Sequence, residues 1–479
     1  MSQQQRRTLL VLIGWLASRV PLYLMTTGHL WAWYGRKSIG DIAIYLRWVH
    51  GYLTHGTVPL DHSWQYPPLV APLLLLPKLL PGADYQGQFV RAAFIADAAV
   101  ILILLWTARR RGSWLGPWYW IIGVPVLGPL IYGRFDVFSA VFVVAALALV
   151  GKGVAAEDGT GRRVLGGRRW AAGVLAGLGT AIKIWPGLTL FGLPRSRRGW
   201  QTIAAAVAAA AGASLLCTLA FRNSTWFLHN QGGRGLEIES IWAIPFLAAK
   251  RLGIWHGRVK GHFGSLEVLG PGVNYVTDLA LLSTVVVFAL LGWWWWRKQW
   301  RPAVAADATL VATMLMIITS RVLSPQYLIW LLAVASFCLL SKDTSQRRSA
   351  LLILLSLPIS QWIFPYNFNA LIHGHAGPVL ALIVRDGLLL AATAIGFLDL
   401  WRDTVSGPFL PWRGRDGAVP EQSSVEVPAE AAVPVPAEPE PEAGLELELE
   451  PQTAPSQGTE PAEPVEPAGG AAQPSPTAV

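Results

Sequence analysis

The amino-acid sequence predicts an all-α polytopic membrane protein, and three observations support this fold class. Of its 479 residues, 53% are hydrophobic and only 14% are charged, which is too little charge to cover a soluble protein of this length. Apolar runs of about 20 residues recur along the chain, and this is the length of a membrane-spanning helix. Short arginine-rich loops separate these runs, as the positive-inside rule predicts for cytoplasmic loops.

The net charge of +9 combines two regions of opposite sign. Residues 416–479 contain 13 acidic residues and no lysine or arginine, whereas the rest of the chain has 38 basic and 16 acidic residues, a balance of +22. Because the basic residues cluster in loops between spans, membrane topology explains them better than nucleic-acid binding. Cys217 and Cys338 lie in apolar runs without a CxxC motif, so we expect buried residues rather than a disulfide or a metal site.

Placing the basic loops in the cytoplasm predicts about eleven spanning segments, with short re-entrant or interfacial helices between some of them. The N terminus, with Arg6 and Arg7, is expected in the cytoplasm, followed by a retained first helix rather than a cleaved signal peptide. Residues 26–81 form the first outer loop, in which the proline-bracketed segment 66–81 is too short to cross and is predicted to be interfacial. The predicted spans are 8–25, 86–107, 114–131, 137–151, 200–221, 274–296, 303–319, 326–341, 350–364 and 378–400.

The segment between the spans 137–151 and 200–221 is predicted to be a hairpin that enters the bilayer partway and returns to the same side. Its apolar pieces, 170–182 and 184–194, have basic residues at both outer ends and meet near Lys183 and Pro186. A broken helix of this kind is tolerated only where protein or a water-filled cavity surrounds it. A lysine at this depth requires an anionic partner or water.

The chain is predicted to divide into a transmembrane region, residues 1–413, and a Pro/Glu/Ala-rich tail, residues 414–479. The composition of the tail cannot bury a core, so we expect it to be disordered and cytoplasmic. We assign no chemistry to it.

The predicted topology gathers the polar residues of interest at the outer side of the membrane. Ionisable residues at span ends are costly and are candidates for function. Each also has a simpler explanation: Asp41 as a solvated loop acid, span-end arginines that reach lipid headgroups, and Glu237 as a partner of Arg234. The candidates on this side are Asp41, Arg134, Asp136, Arg234, Glu237, Arg321, Gln326, Asn367, Asn369, His373 and His375, with Lys183 pointing toward them from within the bilayer.

A carboxylate beside cationic side chains at the lipid boundary suits one reaction especially. A polyprenyl-phosphate sugar keeps its lipid in the bilayer and its phosphate at the interface, where Lys183 and Arg321 could stabilise the leaving group. Asp41, on the opposite side of the anomeric carbon, could take the proton from the acceptor hydroxyl. This reaction needs no nucleotide site. No P-loop motif occurs, and Gly177-Leu-Gly179 is typical of helix packing.

Five short groups of residues occur in order over residues 8–400. They are DIAIYLRW (41–48) with YPP (66–68), GRFDV (133–137), IKIWP (182–186), RGLEIES (234–240) and SPQY (324–327). Together they resemble glycosyltransferase family 87, the DUF2029 proteins of the GT-C superfamily. That family includes actinobacterial mannosyltransferases that use polyprenol-phosphate mannose.

The resemblance implies a GT-C fold and an inverting, metal-independent transferase of the cell envelope with Asp41 as its base. It implies no cofactor other than the polyprenyl-phosphate sugar, which is a co-substrate. Mannose is favoured, arabinofuranose or another hexose stays open, and the acceptor could be a glycolipid, a glycan or a protein. The active site would face outside on the plasma membrane, and its pocket would be lined by Tyr45, Tyr66, Arg134, Asp136, Lys183, Arg234, Glu237, Arg321 and Gln326.

Two other classes of protein stay open at this point. A transporter or flippase of a lipid-linked saccharide would use the same cationic cavity, but it would favour internal inverted repeats, and none is visible. A structural membrane protein gives no reason for Lys183 and Arg321 to share one side. One departure from some GT-C families is that Asp41 is single rather than part of an acidic pair, although Asp61 could supply a second acid.

Overall fold

The computed structural model describes residues 1–153, 167–262 and 264–406, and the described chain is mostly helical. The predicted tail, residues 414–479, lies outside the described residues, as do Arg162 and Arg163 of a predicted cytoplasmic loop. The helices are α1 (Gln3–Thr27), α2 (Ala32–Ser38), α3 (Asp41–Gly51), α4 (Val70–Leu75), α5 (Tyr85–Arg111), α6 (Leu115–Leu127), α7 (Asp136–Gly153), α8 (Gly167–Ile182), α9 (Arg197–Ala220), α10 (Trp226–Gly232), α11 (Ile244–Arg251), α12 (Val273–Arg297), α13 (Val304–Thr319), α14 (Tyr327–Cys338), α15 (Arg347–Gln361), α16 (Phe368–Ile372) and α17 (Ala376–Thr404).

Seven helical segments of the described chain are long and apolar enough to cross a membrane. They are Gln3–Thr27, Tyr85–Arg111, Leu115–Tyr132, Arg197–Ala220, Val273–Arg297, Arg347–Tyr366 and Ala376–Thr404. Three further predicted spans correspond to the shorter apolar helices α7, α13 and α14. The prediction of an all-α polytopic membrane protein is therefore confirmed, whereas the count of about eleven spans is not.

Local sequence signals explain where the long helix α5 begins and ends. The carboxylate of Asp84 accepts a 2.7 Å hydrogen bond from the backbone N–H of Gly87 and so caps the start of α5. Gly112 ends this helix in the left-handed region, at φ 78°, where glycine is favoured. Arginines fill the last turn, where positive charge complements the helix dipole. The helix therefore extends beyond both ends of the predicted span 86–107.

The predicted hairpin consists of α8 followed by a 3₁₀ segment, Trp185–Gly192. Its glycines allow very close packing. A Cβ atom on Gly177 would lie 2.2 Å from the carbonyl oxygen of Ala206 in α9, and a Cβ atom on Gly179 would lie 2.9 Å from Pro186. No larger residue fits at these distances without a shift of the neighbouring helix. The interpretation of these glycines as a packing motif is therefore confirmed.

A buried polar cluster joins α1, α5 and α6 inside the bundle. Asp97 accepts hydrogen bonds from Nε of Arg19 at 2.8 Å and from Nε1 of Trp120 at 2.7 Å. It also accepts from Nε1 of Trp15 at 3.2 Å and from the hydroxyl of Tyr132 at 3.1 Å. Every one of these donors is a protein group, and the side chains of Arg19 and Asp97 are fully buried. We therefore interpret this cluster as a structural anchor.

A small antiparallel sheet, which the sequence analysis did not predict, lies in the segment between α10 and α12. Its strands are β1 (Leu236–Glu237), β2 (Arg258–His262) and β3 (Ser265–Leu269), in the order β1-β3-β2. Leu236 pairs with Val268, and Glu237 pairs with Glu267. The sheet therefore fixes the backbone of Glu237, one of the candidate site residues.

Candidate active site

A cavity of about 350 Å³ lies where four of the sequence motifs meet. Tyr66, Lys183, Arg234 and Gln326 line it, and each comes from a different motif. The remaining wall includes aromatic and polar side chains, among them Gln65, Phe227, Gln231, Ser324, Tyr327 and Trp330. The structure thus brings together candidates that are up to 260 positions apart in the chain, counting from Tyr66 to Gln326.

Lys183 follows the last residue of α8, and its ammonium group faces Asp136 at the start of α7. Nζ donates a 2.6 Å hydrogen bond to Oδ1 of Asp136, which also accepts one from Nε1 of Trp330 at 2.6 Å. The ammonium nitrogen lies 4.8 Å from the ring centroid of Phe135 and 5.6 Å from that of Tyr327. Aromatic faces and a carboxylate offset the desolvation of a buried cation. The predicted anionic partner of Lys183 is therefore Asp136.

Asp41, the first residue of α3, forms an ion pair with Arg134. The Asp41 side chain is 32% exposed and that of Arg134 is 7% exposed, so only the acid is open to solvent. Neither residue lines the 350 Å³ cavity. Arg134 is followed by Phe135, whose ring centroid lies 4.9 Å from that of the cavity residue Tyr66. The ion pair therefore lies beside the cavity, with an accessible carboxylate.

Glu237 is held by the segment that precedes α14. Its backbone N–H donates to the carbonyl of Arg321 at 3.0 Å, and its Oε1 accepts from the hydroxyl of Ser324 at 3.2 Å. Burial raises the pKa of the Glu237 carboxyl, while the charge of Arg234 opposes this rise. The Arg321 guanidinium donates to the carbonyl of Gln231 at 2.5 Å. Arg321 therefore supports the cavity wall, and it is not among the residues that line the cavity.

Arg234, Gln326 and Glu237 each have a buried polar atom with no hydrogen-bond partner among the residues that the structure describes: Nε of Arg234, Oε1 of Gln326 and Oε2 of Glu237. Nε and Nη1 of Arg134, which is ion-paired with Asp41 beside the cavity, also have none. Leaving such an atom unpaired costs about 1–3 kcal/mol, so a polar ligand or water is favoured there. One cationic donor beside two acceptors complements an anionic group that also carries hydroxyls.

Arg385 is a residue of this region that the sequence analysis missed. It lies in α17, is fully buried, and donates to the backbone carbonyl of Glu239 at 2.7 Å and to Asp386 at 2.7 Å. A longer contact of 3.4 Å reaches the Glu239 carboxylate. Glu239 follows Glu237 by two positions, so Arg385 anchors the segment that carries it. The available signal was a charged dipeptide in the middle of the predicted span 378–400.

Tyr45 is predicted to bind substrate, but the structure places it in the hydrophobic core. It is 2% exposed, and its ring centroid lies 5.3 Å from that of Phe89 and 5.7 Å from that of Phe135. It does not line the cavity. Tyr45 and Asp41 lie four residues apart and therefore share one face of α3. The ring packs in the protein interior while the acid, at the helix start, stays accessible.

Metal-binding side chains are sparse in the described parts of the chain. No group of three or more His, Cys, Asp or Glu residues there could hold a metal ion. Cys217 and Cys338 are buried and free, as predicted. The ring centroids of His373 and His375 lie 6.5 Å apart. That the reaction needs neither a metal nor a further cofactor stays a prediction.

The fold and the cavity define a multi-pass helical membrane protein with a cationic, aromatic-walled cavity at one end of the bundle. The sequence profile of glycosyltransferase family 87 matches residues 64–325, which is more than half of the chain. The chain therefore belongs to glycosyltransferase family 87, as its motifs predict, and it is a membrane glycosyltransferase.

Comparison with solved structures gives a weaker likeness, to ArnT from Cupriavidus metallidurans. The crystal structure bound to undecaprenyl phosphate has a TM-score of 0.38 and 12% identity, over 83% of this chain and 76% of that one. The apo crystal structure has a TM-score of 0.37 and 12% identity, over 78% and 72% of the two chains. No curated protein sequence matches this chain.

Proposed function

We propose that this glycosyltransferase moves a hexose, mannose by the family resemblance, from a polyprenyl-phosphate donor to an acceptor hydroxyl outside the plasma membrane. The observation that carries the proposal is the cavity lined by Lys183, Arg234, Gln326 and aromatic rings, in which Nε of Arg234 and Oε1 of Gln326 have no hydrogen-bond partner among the described residues. The two cations would bind the phosphate. Gln326 and Glu237 would accept hydrogen bonds from the sugar hydroxyls. An actinobacterial type of enzyme, a GT-C fold and cytoplasmic chain ends belong to the same proposal.

The proposed reaction is a single displacement that inverts the anomeric centre. The acceptor oxygen forms a bond to the anomeric carbon while the bond from that carbon to the phosphate oxygen breaks. The electron pair of the broken bond goes to the phosphate, where Lys183 and Arg234 stabilise the developing charge. Asp41 takes the proton of the acceptor hydroxyl. Because Asp41 lies beside the cavity and is accessible, the acceptor can approach from a side that the donor leaves open.

Several candidates act as positioning residues in this proposal because their side chains contact other protein groups. Arg134 orients the Asp41 carboxylate, and Asp136 holds the Lys183 ammonium group toward the cavity. Arg321 holds Gln231 through its side chain and Glu237 through its backbone. Tyr66 and Gln326 face the donor directly. The proposal therefore distinguishes residues that contact the substrate from residues that hold those contacting residues in position.

The direct test supplies membranes containing the full chain with labelled polyprenyl-phosphate mannose, with other polyprenyl-phosphate hexoses and with the arabinofuranose donor. We expect label to appear on an acceptor with the anomeric configuration inverted. A glycosidic bond formed only from nucleotide sugars would contradict the proposed donor class. Movement of intact labelled donor across sealed vesicles, without cleavage, would instead support a flippase.

Replacing Arg234 with glutamine is expected to raise the KM for the donor by about 10–100-fold, because a hydrogen bond to a charged group contributes about 1.5–3 kcal/mol. The measurement is the initial transfer rate over a range of donor concentrations. Arg222→Gln is the matched control, since Arg222 lies exposed in the same outer segment. An equal KM change in both variants would show that overall charge, rather than a donor contact, is responsible.

Replacing Tyr45 with phenylalanine is expected to keep transfer within about two-fold of wild type, because ring packing is retained and at most one neutral hydrogen bond is lost. Tyr45→Ala should lower the free energy of unfolding by about 3–5 kcal/mol through the cavity it leaves. Transfer rates and thermal unfolding of the purified variants check both results. A large loss of transfer in a stable Tyr45→Phe variant would return this residue to the substrate site.

A further inference from the structure

A second cavity, of about 540 Å³, lies at the opposite end of the bundle from the candidate active site. Its wall includes Ala148 of α7 and the segments 301–303, before α13, and 341–343, after α14. Asp136, at the start of α7, accepts a hydrogen bond from Lys183, which lines the first cavity. Ala148 comes twelve residues later, about 18 Å further along the helix axis at 1.5 Å per residue. The two cavities are therefore separate sites.

Four cationic side chains from three chain segments line this second cavity. They are Arg110 and Arg111 at the end of α5, Arg301 and Lys342, with Asp343 as an acidic neighbour. The positive-inside rule accounts for cations in these loops. It does not require cations from separate loops to converge on one concave site. Arg301 is also paired with Asp403. Among the described residues that line the cavity, the other three cations therefore face one acid, Asp343.

Aromatic rings hold two of these guanidinium groups at the cavity. The guanidinium carbon of Arg110 lies 4.0 Å from the ring centroid of Trp106, which also lines the cavity. That of Arg111 lies 5.2 Å from the ring centroid of Phe337 in α14. Stacking on a ring orients the guanidinium plane and leaves its N–H groups free to donate at the edge. Oriented donors of this kind match the oxygens of a phosphate group.

We infer that this second cavity is a binding site for a phosphate-bearing anion. Arg110, Arg111 and Lys342 supply the charge, and the hydroxyls of Thr107 and Ser341 supply further polar groups in the wall. Its volume lies in the range of ordinary ligand pockets and exceeds the needs of one phosphate. Anionic lipid headgroups and soluble phosphates both carry this chemistry. Basic sites between helices at the membrane boundary commonly hold the former.

The test titrates the purified full-length chain, in neutral detergent, with phosphatidylglycerol, phosphatidylcholine or inorganic phosphate at constant ionic strength, and follows the midpoint of thermal unfolding. We expect phosphatidylglycerol to raise the midpoint and phosphatidylcholine to leave it unchanged. The variant Arg110→Gln/Lys342→Gln should raise the apparent Kd by about ten-fold or more, since two charge-assisted contacts are lost. If inorganic phosphate raises the unfolding midpoint of the wild type but not that of this variant, the site is supported and its ligand is a soluble phosphate.

The matched control is Arg195→Gln/Arg197→Gln, which removes the same charge from two exposed arginines outside the cavity. It should respond to phosphatidylglycerol as the wild type does. An equal loss in both double variants would overturn the inference, as would an unchanged response in Arg110→Gln/Lys342→Gln or no rise with any phosphate. Binding of a phosphate in the first cavity would persist in both variants, so failure of this site is distinguishable from failure of the proposed function.

Discussion

Asp41→Asn is expected to lower sugar transfer by about 10²–10⁴-fold, the contribution typical of a positioned general base. The amide has the shape of the carboxylate, but it cannot take a proton from the acceptor hydroxyl at neutral pH. The measurement is the initial rate of label transfer from polyprenyl-phosphate mannose in membranes with matched amounts of protein. Donor binding should change little, because Asp41 does not line the donor cavity.

A second explanation for such a loss is that the variant leaves Arg134 without its charged partner. Arg134 is only 7% exposed, and an unpaired buried charge destabilises its surroundings. The double variant Asp41→Asn/Arg134→Gln removes both charges and separates the two explanations. It stays inactive if Asp41 is the base, and it regains transfer if Asp41 only neutralises Arg134.

Asp61→Asn supplies the matched carboxylate control within the segment that joins α1 to α5. Asp61 is exposed and accepts a 2.8 Å hydrogen bond from the backbone N–H of Ser63, so its local role is in a turn. We expect transfer by this variant to stay close to wild type. Loss of transfer in Asp61→Asn together with an active Asp41→Asn would move the base to Asp61.

Membrane physics explains why so much of the site could be predicted without coordinates. Basic loops predict which span ends share a side, so the sequence predicts that residues far apart in the chain can lie close together. Tyr66, Lys183, Arg234 and Gln326 do meet at one cavity. The partner of Lys183 required the structure, because Asp136 lies 47 positions away and several acids were available on that side.

Local backbone pairing explains what the sequence could not reveal. Arg321 was expected to face the phosphate, but its carbonyl pairs with the N–H of Glu237 and its guanidinium turns to Gln231. This backbone pairing depends on the small sheet, whose short strands lack a clear alternation of apolar and polar residues. The sequence does not indicate a role for Arg385, because the other residues of the predicted span 378–400 are mostly apolar. In each case the deciding contact joins segments distant in sequence.

Lys183→Met is expected to lower kcat by about 10²–10³-fold, the loss typical of removing one group that stabilises developing negative charge. Methionine keeps much of the side-chain length without the ammonium group. The KM for the donor should change less than kcat, because the charge on the phosphate oxygen develops mainly in the transition state. The measurement is the rate of transfer as a function of donor concentration. Lys78→Met, at an exposed lysine between α4 and α5, is the matched control.

The substitution also leaves Asp136 buried and unpaired except for its hydrogen bond from Trp330. Breaking a buried ion pair on one side destabilises a protein by about 3–5 kcal/mol, so loss of folding has to be separated from loss of chemistry. Lys183→Met/Asp136→Asn removes both charges and should restore the unfolding midpoint while leaving kcat low. Recovery of kcat together with stability would show that Lys183 serves only to neutralise Asp136, and the stabilisation of the leaving phosphate would then fall to Arg234.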